Sequence, residues 1–153
     1  MALHGSIKID LWIKAPADQF HNVFSARPHH ISNASPEKIQ ACELHEGDWG
    51  NSGSVINWNY VHDGESKVAK EIIEEINDEK NFTKFRVIDG DLMKQYKDFT
   101  LLVQATPKDG GSLVHWSLDY EKLNEDVPEP YTLLEFCAHV TKDISTHLVA
   151  QAA

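Results

Sequence analysis

Three glycines, Gly47, Gly50 and Gly53, stand three residues apart in Leu44-His45-Glu46-Gly47-Asp48-Trp49-Gly50-Asn51-Ser52-Gly53-Ser54, and the first chemistry to test there is phosphate binding. Glycine-rich turns can cradle phosphate with exposed backbone amides. This stretch does not fit that use. A Walker loop needs Lys-Ser or Lys-Thr after its last glycine, whereas Gly53 leads into Ser54-Val55 and the next lysine is Lys67. A dinucleotide loop has the spacing G-x-G-x-x-G and opens a helix; here the spacing differs and a β-branched, aromatic run, Val55 to Tyr60, follows. Glu46 and Asp48 would repel phosphate. The stretch reads as a turn between strands, where glycine supplies positive φ without a Cβ clash.

The remaining polar chemistry is sparse. His29 and His30 are adjacent and cannot share a helix face, and His139 and His147 lie eight apart, so no histidine pair has the i, i+4 spacing of a helical zinc site. No metal and no cofactor is expected. Lys70, Glu71, His115, Tyr60 and Tyr96 are the acid-base groups available if they reach an interior. Burying an unpaired charge is costly, so solvated strand faces are the expected place for Lys70 and Glu71.

Composition narrows the classes further. Twenty-four acidic against fourteen basic residues give a formal charge of −10, a field that opposes nucleic acid. Met1 to Ser6 carry no apolar signal core, and no run approaches the ~20 apolar residues of a membrane span. Cys42 and Cys137, the only cysteines, fall in a strand-like and a helix-like run and read as small buried residues, consistent with a cytoplasmic protein. The chain, 1–153, is expected to form one domain.

The elements that must position these groups follow from periodicity. Period-two alternation predicts a first strand over Leu3 to Ile13. Pro16 opens a short helix with Phe20, Val23 and Phe24 on one face, and a second short helix lies around His29 to Ala34. Strands are then predicted over Lys38 to His45, Ser54 to Tyr60, Lys67 to Ile76, Phe82 to Ile88, Tyr96 to Thr106 and Ser112 to Glu121. Asp63-Gly64 is a hairpin signal, and Pro107-Lys108-Asp109-Gly110-Gly111 turns the chain into its last strand. Pro130 starts a last helix running to about Ala150, with Leu133, Phe136, Cys137, Val140, Ile144 and Leu148 in one stripe.

Seven antiparallel strands cannot be covered as a flat sheet by one helix, so the sheet must wrap around it in an α+β arrangement. A ligand cavity between sheet and helix follows where facing side chains do not fill the space. Alternation places Ile56, Trp58 and Tyr60 inward, with Phe85 and Val87, Phe99 and Leu101, and Val114, Trp116 and Leu118 matching them. Cys137, Thr141, Ile144 and Leu148 face them from the helix, and Phe20 and Phe24 close one end.

The element order, the glycine loop after the second strand, Thr106-Pro107 to Gly110-Gly111, and Thr141-Lys142-Asp143-Ile144 resemble the birch-pollen-allergen (Bet v I) superfamily. His45-Glu46-Gly47-Asp48-Trp49-Gly50, Trp58-Asn59-Tyr60-Val61-His62-Asp63-Gly64, Arg86 to Lys94 and Val114-His115-Trp116 are similar to its major latex protein branch. The resemblance covers essentially the whole chain. It implies a helix-grip fold with a large internal cavity for hydrophobic small molecules, in plant proteins linked to defence and stress. The class-ten branch, for which ribonuclease activity is claimed, carries a denser glycine loop and a basic strand after it; Val55-Ile56-Asn57 has no lysine.

Two functions are therefore expected as alternatives. In the first the protein is a monomeric or weakly dimeric carrier, taking a steroid, flavonoid or lipid-like ligand that Trp58, Tyr60, Trp116 and Thr141 orient, with the loop of Gly47, Gly50 and Gly53 as a gated rim. In the second it is a cavity enzyme, since superfamily relatives catalyse alkaloid condensation or isomerisation. Tyr60, Glu71 or Lys70 would then supply the acid or base.

Overall fold

The computed structural model describes residues 3–152, so Met1, Ala2 and Ala153 of the expected domain lie outside the described residues. Strand β1 (His4–Ile13) leads into helix α1 (Ala17–Ser25), a 3-10 turn at Pro28–His30 and the single-turn helix α2 (Ile31–Ala34). Six strands follow: β2 (Ile39–Glu46), β3 (Val55–His62), β4 (Glu65–Asn77), β5 (Phe82–Gly90), β6 (Tyr96–Lys108) and β7 (Gly111–Lys122). Helix α3 (Tyr131–Ala152) follows β7.

All seven strands join one antiparallel sheet in the order β1-β7-β6-β5-β4-β3-β2, so the first two strands form its opposite edges. Two connections are two-residue hairpins, pairing His62 with Glu65 and Lys108 with Gly111. In both, Asp-Gly takes positive φ at both positions (Asp63 53°, Gly64 75°; Asp109 51°, Gly110 80°), the geometry that matches strand twist. These tight turns carry pairing to the hairpin ends, which is why β3 reaches His62 rather than Tyr60 and β4 starts at Glu65 rather than Lys67.

A 3-10 turn at Asp91–Lys94, absent from the sequence reading, bridges β5 and β6. Those strands pair only from Phe82–Arg86 to Thr100–Gln104 and then part. Gly90 makes the turn possible. Its φ is 111°, and a Cβ there would run into the Val68 carbonyl oxygen and the Ala69 Cα. Asp91 fixes the far side by accepting the Val68 N–H at 2.8 Å.

Register shifts interrupt the ladders in β2, between Lys70 and Glu71 and between Ile73 and Glu75 in β4, and near Tyr96 in β6. Bulges of this kind bend and twist a sheet, which lets it curl around α3. The apolar face of α3 meets the concave side of the sheet, with α1 and α2 covering one end. No helix among the described residues is long and apolar enough to cross a membrane.

Candidate functional site

Fourteen residues line a cavity of about 70 Å³ between the sheet and α3. Trp58 and Tyr60 of β3, Ala69 and Glu71 of β4, Phe85 of β5, Leu101 of β6 and Trp116 of β7 form the sheet wall. Leu133, Phe136, Cys137 and Val140 face them from α3, and Phe24, Ile39 and Leu92 close the ends. The wall is aromatic because neighbouring rings interlock: Phe24 meets Phe85 at 6.4 Å and Trp116 at 5.4 Å, and Tyr60 meets Phe136 at 5.7 Å, all edge-on. Leu92, Leu101 and Phe136 are only partly buried, so the cavity approaches solvent where β5 and β6 part and α3 begins.

Of the residues expected to face a ligand, Phe24, Trp58, Tyr60, Phe85, Leu101, Trp116 and Cys137 lie on this wall. Phe20, Ile56, Val87, Phe99, Val114, Leu118, Thr141, Ile144 and Leu148 are buried but sit in the packed core away from it. Their places explain the difference. Phe99 is enclosed by Tyr96 and Tyr120, Phe20 packs on Phe24, and Thr141 is engaged by Trp116. The cavity on the helix side falls along the first half of α3, so Leu133, Phe136 and Val140 replace Thr141, Ile144 and Leu148.

The loop of Gly47, Gly50 and Gly53 contributes nothing to the wall. All three glycines take φ near 90°, and some of the loop's polar groups bond within the protein. Gly53 N–H donates to the Ile73 carbonyl at 2.7 Å, Asp48 N–H to Ser54 Oγ at 3.1 Å, and Ser54 Oγ–H to the Asp48 carbonyl at 2.7 Å. The Asp48 and Gly53 amides are therefore committed within the protein, and the partly buried residues of the cavity wall are Leu92, Leu101 and Phe136 rather than this loop. Trp49 stacks on His29 at 4.0 Å, tying the loop to the helical end of the fold.

The polar chemistry of the cavity is concentrated in Glu71. Its side chain is 7% exposed, against the expectation of a solvated strand face. The structure also separates it from Lys70, which lies on the opposite side of β4 and does not line the cavity. Trp58 Nε1–H donates to Glu71 Oε1 at 2.9 Å. Burial pushes the Glu71 carboxyl up to about 7, and the Trp58 hydrogen bond opposes part of that rise. Burial also raises the Tyr60 phenol and the Cys42 and Cys137 thiols, and nearby Glu71 adds to each shift. The Tyr60 hydroxyl is buried and has no hydrogen-bond partner among the described residues.

The other acid-base groups lie elsewhere. His115 pairs with Asp10 at 2.6 Å on the outer face, and Tyr96 O–H donates to the Pro128 carbonyl at 2.9 Å. Trp116 Nε1–H donates to Thr141 Oγ1 at 2.8 Å, which in turn donates to the Cys137 carbonyl at 2.8 Å. Among the described residues no group of three or more His, Cys, Asp or Glu is arranged to hold a metal.

Comparison with known proteins agrees with this architecture. The Pathogenesis-related protein Bet v 1 family profile matches residues 2–151. MLP-like protein 28 of Arabidopsis thaliana is 58% identical over 98% of this chain, and MLP-like protein 34 of the same plant is 55% identical over 98%. The chain spans only 45% and 48% of the length of those two relatives. The crystal structure of major latex-like protein 151 from Panax ginseng superposes with a TM-score of 0.93 at 43% identity, over 95% of this chain and 98% of that one.

Proposed function

The chain belongs to the Pathogenesis-related protein Bet v 1 family, within its MLP-like relatives, and on that premise we propose that it is a carrier for hydrophobic small molecules. The observation that carries the reading is the cavity: an aromatic and aliphatic wall into which one carboxyl and one unpartnered hydroxyl are set. Such a site gains its affinity from desolvation and its orientation from a few polar atoms.

Size sets a condition on the reading. Cavities for drug-sized ligands run to roughly 300–1,000 Å³, well above the 70 Å³ present. A steroid- or flavonoid-sized guest therefore requires Phe24, Tyr60, Phe85 and Phe136 to swing apart. The partly buried Leu92, Leu101 and Phe136 mark the side from which it comes. Cys42 and Cys137 are free buried thiols, which supports a reducing, cytoplasmic setting.

Tryptophan fluorescence tests the carrier reading directly, because Trp58 and Trp116 stand in the wall. Titration with a panel of apolar ligands is expected to change the emission, and native mass spectrometry of protein from plant tissue is expected to retain a guest. A flat titration across the panel together with an empty native spectrum would remove the proposal.

One observation favours a second reading. A carboxyl titrating at about 7 in an apolar site is suited to general acid-base work, so Glu71 is the residue on which cavity catalysis would rest. Turnover of an alkaloid-like or enone substrate that Glu71→Gln abolishes, with binding retained, would favour it over the carrier.

A further inference from the structure

We propose that the cavity takes up a neutral apolar molecule bearing an oxygen acceptor together with one proton, and that the proton resides on Glu71 in the complex. The proposal rests on the carrier reading and names the ligand chemistry of the same cavity.

Glu71 Oε1 accepts the Trp58 N–H, and among the described residues no other donor or cation bonds the carboxyl. The groups around it come from four elements and none is positive. Trp58 and Tyr60 stand on β3, Cys42 on β2, and Cys137 on α3, and on β4 itself Lys70 points to the other face. Lys67, opposite Tyr60 in the ladder, does not line the cavity, and no Lys, Arg or His does among the described residues.

A carboxylate left there is exposed only to the small free volume of the cavity. An apolar guest fills that volume and strips the remaining solvent, which favours the neutral acid. The protonated carboxyl then presents an O–H, and the buried, unpartnered Tyr60 hydroxyl of the same wall supplies another once the wall opens around the guest. Two donors in an apolar chamber are matched by acceptor oxygens on the guest, such as a carbonyl. A protonated amine would also satisfy Glu71, but it would have to lose its own hydration in a wall that is otherwise hydrocarbon. Acidification through neutrality therefore tightens binding of the neutral ligand, by at most tenfold per pH unit for one linked proton. The free carboxyl, pushed up to about 7 by burial, sets the lower end of that range, and a guest that raises it further extends the range above 7.

Acetophenone, ethylbenzene and 1-phenylethylamine are matched in size and differ in polarity. Calorimetric titration of each at pH 6, 7 and 8, in buffers of different ionisation enthalpy, reads both affinity and protons exchanged. Acetophenone is expected to bind several-fold tighter at pH 6 than at pH 8, to take up close to one proton near pH 8, and to outbind the other two. In Glu71→Gln the proton uptake and the pH dependence are expected to vanish while acetophenone still binds, because the amide keeps a donor at that place.

Proton release, or tightest binding by the amine at pH 8, would overturn the proposal in favour of a cationic ligand. A pH-flat isotherm shared equally by acetophenone and ethylbenzene would overturn it and leave the carrier reading standing. Failure of all three to bind, alongside the flat fluorescence titration described above, would remove both.

Discussion

Replacing Glu71 by glutamine is expected to change the pH dependence of folding stability by a calculable amount. The folded carboxyl titrates at about 7 against an ordinary 4.5, so the folded protein holds its proton where the unfolded chain has lost it. Because the folded value is raised, the penalty is absent below about pH 4.5, grows as pH rises towards 7, and is fully present above 7. A shift of this size corresponds to about 3 kcal/mol at the plateau, with a slope of about 1.4 kcal/mol per pH unit on the way. Glutamine cannot ionise, and its carbonyl still accepts the Trp58 N–H, so the variant lacks this slope. Its amide N–H groups add a constant cost that cancels when only the pH dependence is compared. The assay is urea unfolding of both proteins at pH 5, 6, 7 and 8. The difference, variant minus wild type, is expected to rise by about 2–3 kcal/mol across that range. Two parallel curves would refute the reasoning, since they would mean that the carboxyl titrates in the folded protein as it does in water.

Trp58→Phe removes the one donor that holds the Glu71 carboxyl down; its cost in urea unfolding is expected to be about 1 kcal/mol at pH 5, rising to about 2–3 kcal/mol at pH 8. Thr141→Val keeps the shape of the side chain but strands the buried Trp116 N–H, and a loss of about 1–3 kcal/mol is expected by the same measurement. Gly90→Ala and Gly53→Ala both place a side chain at positive φ, yet Gly53 has open space around it while Gly90 faces the β4 backbone. Thermal unfolding is expected to show a loss of about 1–2 kcal/mol for Gly53→Ala and more than about 4 kcal/mol for Gly90→Ala.

Element types and order were legible because their signals are local. The Asp63-Gly64 and Asp109-Gly110 turns declare themselves by residue type, and alternation sorted Trp58, Phe85 and Trp116 to the inside. Alternation gives a side, however, and not a depth. Whether an inward residue meets packed neighbours or free space depends on where the first half of α3 stands off from β3, β4 and β5. That distance is set by the whole fold, which is why alternation alone does not separate Phe99 and Leu118 from Trp58.

Glu71 was ambiguous for a different reason. Charged Lys70 and Glu71 are adjacent, as are apolar Ile72 and Ile73, so β4 lacks a clean period of two. The signal lay across the hairpin: a two-residue turn pairs His62 with Glu65, and counting back pairs Trp58 with Ala69 and Ile56 with Glu71. Opposed residues share a face, so the inward Ile56 carries Glu71 with it. The 3-10 turn that brings Leu92 to the rim had no comparable signal, because it exists only to bridge the parting of β5 from β6.

The sheet order also sets a timetable for synthesis. Strands β2 to β7 can pair in the sequence in which they leave the ribosome, each with its predecessor. β1 cannot, because its neighbour is β7, in a register that sets His4 against Glu121 and Ile13 against Ser112. At roughly 5–20 residues per second, the N-terminal strand waits on the order of ten seconds for its partner to be made. During that interval Ile7, Ile9, Leu11 and Ile13 have no ladder partner, and an unpaired apolar segment of this kind is open to aggregation.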